Sequence, residues 1–140
     1  MSFALICLVY LSSAATIPSA EVLSGIVQQS QRNNQQCDVT GLLCHYDGNF
    51  LQFLEGPEEA VNQTYDRISR DPRHRQLIQV QRRQIEERAF ADWSMAVVKP
   101  DDISPAQRAF VQGLRDVEVA ERAHKPAIEG FLQSFRAWLR

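Results

Sequence analysis

From Leu5 to Leu11 the chain carries no charged residue, and both alternating sets of positions are apolar. A strand apolar on both sides belongs in the middle of a covered sheet. A second two-sided apolar stretch runs from Thr40 to Gly56 and is interrupted at Asp47-Gly48. Asp-Gly between apolar runs predicts a tight hairpin, because both central residues of a type I′ turn need positive φ. A two-residue turn sets Leu43 opposite Gln52. Leu43, His45, Phe50, Gln52 and Leu54 then share one face, and Leu42, Cys44, Tyr46, Leu51 and Phe53 the other. Gln52 stands out among them. A buried carboxamide must find hydrogen-bond partners or cost stability, so it bonds either to backbone or to a ligand.

Between these strands the period changes from two to about 3.6. Ser19 is placed to cap a helix, Glu21 suits its positive end, and Val22, Leu23, Ile26 and Val27 form its apolar stripe. The helix is expected to run to about Arg32, with Asn33-Asn34-Gln35-Gln36 as a turn. A second helix starts at Gly56-Pro57, with Glu58 and Glu59 in its first turn and Val61, Tyr65 and Ile68 inward, and stops at Asp71-Pro72. Leu77 to Ile85 reads as a more exposed strand, and Phe90 to Val98 contains a fifth. Helices from Ser104-Pro105 and from Pro126 follow, the last with Phe131, Phe135, Trp138 and Leu139 on one side. The order β-α-β-β-α-β-β-α-α begins as a split βαβ. The expected fold is α+β and ferredoxin-like, with a five-stranded mixed sheet. Residues 1–98 form the domain, and 99–140 a helical extension capping the second sheet face.

Bulk composition narrows the classes. At 140 residues the chain can bury one substantial core. A net charge of -2 argues against general nucleic-acid affinity. Cys7, Cys37 and Cys44 are odd in number and lack metal-ligand spacing, which fits reduced thiols in a cytoplasmic protein. The first apolar run has no preceding Lys or Arg and reads as a strand rather than a signal peptide. No segment reaches the ~18 apolar residues that span a membrane. His45, His74 and His124 are scattered, and no phosphate loop, H-E-x-x-H or G-x-S-x-G motif occurs. An enzyme is therefore not expected. Arg67, Arg70, Arg73, His74 and Arg75 form a basic cluster, read either as dipole complementation or as a phosphate anchor.

Six segments occur in order: Leu8-Val9-Tyr10-Leu11-Ser12-Ser13, Gln31-Arg32-Asn33-Asn34, Thr40-Gly41-Leu42-Leu43, Phe50-Leu51-Gln52-Phe53-Leu54-Glu55-Gly56, Asp71-Pro72-Arg73-His74 and Phe90-Ala91-Asp92-Trp93-Ser94-Met95. Jointly they resemble a BLUF domain, a blue-light sensor that uses FAD, over about residues 4–98. The chain is similar to short stand-alone photoreceptors of that family.

The resemblance implies a flavin between the two helices on one sheet face, as FAD, with FMN or riboflavin as possible substitutes. It implies that Tyr10 is the photoactive tyrosine and that Gln52 bridges it to the flavin. Light-driven proton-coupled electron transfer and rearrangement of Gln52 would then give a red-shifted state. It places Ser30, Asn33 and Asn34 at the flavin ring, and Arg67, Asp71 and His74 near the ribityl and phosphate groups. Trp93 and Met95 become signalling residues. The output would pass to an unidentified downstream protein or a homo-oligomer. Two other readings stand beside it: a ferredoxin-like flavin- or ligand-binding regulator without photochemistry, and a small hydrolase anchoring its substrate through Arg and Asn. Colour and light response separate the three.

Overall fold

The computed structural model describes residues 4–14, 19–46, 48–91, 94–95 and 104–106. Six elements follow in order: β1 (Leu5–Ala14), α1 (Ala20–Cys37), β2 (Thr40–Tyr46), β3 (Asn49–Pro57), α2 (Glu58–Ser69) and β4 (His74–Ile85). The described strands form one sheet in the order β2-β3-β1-β4, with antiparallel pairing throughout. The expected mixed sheet is thus corrected. A helical crossover makes β1 and β2 parallel, but β3 lies between them, so every neighbouring pair is antiparallel. Four strands are described, not five. Of the predicted fifth strand, Phe90, Ala91, Ser94 and Met95 are turns or bends, and Trp93 and residues 96–98 lie outside the described residues. Pro105 and Ala106 are helical. The rest of the two predicted C-terminal helices, and with them the 99–140 extension, lies outside the described residues.

The hairpin has the predicted register. Leu43 pairs with Gln52, and Tyr46 with Asn49 across a two-residue turn in which Gly48 has φ 80°. Strand β1 lies beside β3, with Tyr10 directly opposite Gln52. Both face the helices. There Ile6, Leu8, Tyr10, Leu43, Phe50 and Leu54 form a core with Val61 of α2, flanked by Leu23, Val27, Tyr65 and Ile68. On the opposite face Leu42, Cys44, Leu51 and Phe53 are also buried. Strand β4, at one edge of the described sheet, is more exposed, in keeping with its glutamines and arginines. It carries an extra residue opposite Val9–Tyr10 and again opposite Leu11–Ser13. Bulges of this kind bend a strand and re-aim side chains, and here they flank Tyr10.

Helix α1 is capped by Ser19, whose hydroxyl accepts from the Val22 N–H. It continues past Arg32 to Cys37 and ends at Asp38, which is left-handed with φ 59°. The backbone N–H groups of Asp38 and Val39 both donate to the Asn34 carbonyl. The expected turn at Asn33–Gln36 is therefore the last turn of the helix. A closed C-terminal cap and a tertiary bond from the Asn34 side chain outweigh the modest helix propensity of asparagine.

Candidate functional site

A narrow cleft lies between α1, α2 and the sheet. Helix α1 contributes Ile26, Gln29, Ser30 and Asn33, the hairpin Leu43 and Gln52, and α2 Arg67 and Ile68. The turn before β4 adds Asp71 and Arg73, and the first residue of β4 adds His74. Six residues singled out from the sequence, Ser30, Asn33, Gln52, Arg67, Asp71 and His74, thus meet around one space from α1, β3, α2, the following turn and β4. Tyr10 lies beside it, fully buried, with its ring edge-on to Tyr65 at 5.2 Å between centroids.

The polar groups of this region are unevenly satisfied. Tyr10 Oη is buried and has no hydrogen-bond partner among the described residues. A buried tyrosine usually sends its hydroxyl to a backbone carbonyl, and this one does not. On β1 the phenol faces the side-chain layer, where backbone acceptors are already engaged in the sheet. Burial holds the phenol well above its ordinary pKa, and Tyr65 and Asp71 push in the same direction, so Tyr10 is neutral and retains its proton. Gln52 is also buried and donates from Nε2 to Met95 Sδ at 3.4 Å. A thioether is a weak acceptor for an amide that both donates and accepts. An orphaned hydroxyl and a weakly paired carboxamide on neighbouring strands suit a polar ligand edge.

The mouth is better bound. Arg73 Nε donates to both carboxylate oxygens of Asp71 at 3.0 Å, and its Nη2 donates to Gln29 Oε1 at 2.7 Å. The Arg73 hydrogen bond holds the Asp71 carboxyl below its usual range. His74 shares a 3.2 Å hydrogen bond with Ser12, and burial depresses its pKa. The cleft encloses about 60 Å³.

Asn34 does not line this cleft. It is buried and donates from Nδ2 to the Ser94 carbonyl at 2.6 Å. Gln31, one helical turn earlier, donates from Nε2 to the Met95 carbonyl at 2.7 Å. Met95 itself is buried in the helix-side core, over Gly41. A Cβ at Gly41 would lie 2.0 Å from the Phe53 carbonyl oxygen and 3.1 Å from Met95 Cε, so only glycine permits this approach. Trp93 lies outside the described residues.

One further cluster had no distinct signal in the sequence. Glu55 is fully buried on the sheet face away from the helices and accepts from the backbone N–H groups of Ala89 at 2.7 Å and Phe90 at 2.8 Å. Thr40 donates to it at 3.2 Å, and Arg88 binds Thr40 Oγ1, the Glu55 carbonyl and the Asp38 carbonyl. Burial raises the Glu55 pKa, against the opposing pull of those two N–H groups, Thr40 and Arg88. Phe90 packs on Phe53, 5.5 Å between ring centroids, on that same face. Met95 packs on the helix side.

An antiparallel sheet with two helices on one face, and a polar cleft between them backed by an orphaned tyrosine, defines an α+β domain built to hold a ligand with a polar edge. Residues 5–96 match the family model described as BLUF, sensors of blue-light using FAD. The chain belongs to the BLUF family of blue-light sensors, and its cofactor is the flavin of that family. It is 39% identical over 89 residues to photoactivated adenylate cyclase subunit beta of Euglena longa, covering 63% of this chain and 10% of that protein. It therefore spans about a tenth of that relative's length. Among solved structures it resembles the dark state of BlrB, a BLUF protein, with a TM-score of 0.67 at 26% identity over 98% of each chain. A bacterial light-regulated adenylyl cyclase matches with a TM-score of 0.68 at 28% identity, over 95% of this chain and 35% of that one.

Proposed function

We propose that this chain senses blue light by a proton-coupled exchange between Tyr10 and Gln52 at a flavin held in the cleft between α1 and α2. The observation that carries this reading is the buried, unpartnered Tyr10 hydroxyl opposite Gln52. Ser30, Asn33 and Gln52 are positioned for the polar edge of the ring. Arg67 and His74 suit the ribityl and phosphate groups, with Asp71 orienting Arg73 beside them. Asn34 does not line the cleft, and its Nδ2 holds the Ser94 carbonyl instead. When bound, FAD supplies blue-light absorption and an electron acceptor. The protein supplies the rest. Tyr10 stores a proton at Oη, because burial keeps the phenol neutral. Gln52 accepts through Oε1 and donates through Nε2, so one rotation of its amide exchanges the two roles.

The same rotation changes what Gln52 offers Met95 Sδ. It thereby alters the placement of the Met95 side chain. A switch of this kind biases a two-state element by a local hydrogen-bond change. The output acts on a downstream protein or a second copy of the chain through the surface after residue 90. The chain is a cytoplasmic sensor, not an enzyme, and has no membrane or nucleic-acid partner. Among the described residues no helix is long and apolar enough to cross a membrane.

The test is Gln52→Leu, reconstituted with FAD. Leucine matches the volume but neither donates nor accepts. The variant should bind flavin and lose the reversible red shift under blue light. An unaltered shift would remove Gln52 from the mechanism.

A further inference from the structure

Three carboxamides converge on two residues. Asn34 donates to the Ser94 carbonyl, Gln31 to the Met95 carbonyl and Gln52 to Met95 Sδ. The first two project from one face of α1, three positions apart, where side chains are neighbours. They hold backbone, and Gln52 alone holds the side chain. This division of labour gives Gln31 a task that its place outside the cleft lining conceals.

We propose that Gln31 is a positioning residue for the light switch: it sets the Met95 backbone in the dark arrangement so that Sδ meets Gln52. The proposal rests on the function proposed above and adds a residue to it. Apart from that bond and the Gln52 contact, Met95 is held by apolar packing in the helix-side core, which has no directional hold on its backbone. Its thioether is flexible and polarizable, and the seat over Gly41 is a shallow one without a side chain below. The Gln31 bond, at 2.7 Å, is short for an amide-to-carbonyl contact. Gln31 is only half-buried, so its replacement leaves the core intact. When Gln52 turns, the Sδ contact is lost and the two backbone bonds remain. Return to the dark state then needs Met95 to be waiting in place. Without Gln31 the Met95 backbone is not held in place for that return, so recovery slows.

Two substitutions separate this role from general support of the helix. Gln31→Glu keeps the shape and replaces the donating Nε2 by an acceptor oxygen facing a carbonyl. Gln31→Lys restores a donor. FAD-loaded wild type and both variants are followed by absorption through blue illumination and dark recovery. The size and position of the red shift should match in all three, because Tyr10 and Gln52 set them. Q31E should recover about threefold to tenfold more slowly, the range expected for one net hydrogen bond. Q31K should recover close to the wild-type rate. Gln31→Ala, which removes the donor without adding charge, should be as slow as Q31E. Equal recovery in wild type, Q31E and Q31A overturns the proposal, as does a Q31K protein as slow as Q31E. If the wild type shows no reversible shift, the photoreceptor reading fails and this inference with it. A normal wild-type shift with unchanged variant kinetics defeats this inference alone.

Discussion

Tyr10→Phe should make the flavin-free protein more stable while abolishing its light response. Tyr10 is 0% exposed, and its hydroxyl has no partner among the described residues. Burying a hydroxyl without a hydrogen bond costs about 1–3 kcal/mol relative to water. Phenylalanine removes that cost and keeps the ring, including the edge-on contact with Tyr65. The void left by one oxygen atom subtracts little. With a urea slope of about 1–3 kcal/mol per molar for a small domain, the unfolding midpoint should rise by about 1 M. The assay is equilibrium urea unfolding of both apoproteins followed by circular dichroism, paired with illumination of the FAD-loaded forms. A wild-type apoprotein more stable than the variant by 1 kcal/mol or more would mean that the hydroxyl is paired, and would refute the reasoning. Greater stability with lost photochemistry would mark Tyr10 as a site where stability is given up for function.

Other consequences follow from the same geometry. Burial lowers the His74 pKa, so its neutral form contributes stability that is fully present above about pH 6.5 and is lost as pH falls through the depressed native value. Urea midpoints of the apoprotein should therefore fall between neutral pH and pH 5.5, and His74→Gln should flatten that slope relative to wild type. Gly41→Ala should destabilise the protein by about 1–3 kcal/mol or more, because the added methyl meets the Phe53 carbonyl at 2.0 Å and crowds Met95, as thermal or urea unfolding would show. Gln29→Ala breaks the Arg73 bridge across the cleft mouth and should speed FAD association, measured by stopped-flow quenching of flavin fluorescence.

The parts legible in the sequence were those whose signals are local. The hairpin register followed from Asp47-Gly48 and the two apolar runs, because a two-residue turn leaves one alignment. Ser19 marked the start of α1 for the same reason. The end of α1 was misread, since asparagine and glutamine signal a turn in isolation, and what keeps Asn34 helical includes a bond to a carbonyl 60 residues away. Gln31 and Glu55 were hidden in the same manner. Their partners are backbone atoms at Met95, Ala89 and Phe90, and backbone atoms carry no mark of identity in a sequence. Most cleft residues were reached through family resemblance, while Arg67, Arg73 and His74 showed as a basic cluster that helix-dipole complementation explained equally well. Periodicity alone raised only the oddity of Gln52, and could not say whether its partner was backbone or ligand.

The central claim is that light reorders the hydrogen bonds between Tyr10 and Gln52 at a bound flavin. Its most direct test is the absorption spectrum of the FAD-reconstituted protein, recorded in darkness, under blue light and through return to darkness. The account predicts a flavin spectrum that moves slightly to longer wavelength under light and returns in the dark without bleaching. A bound flavin that bleaches or does not respond, or a protein that takes up no flavin, would contradict it.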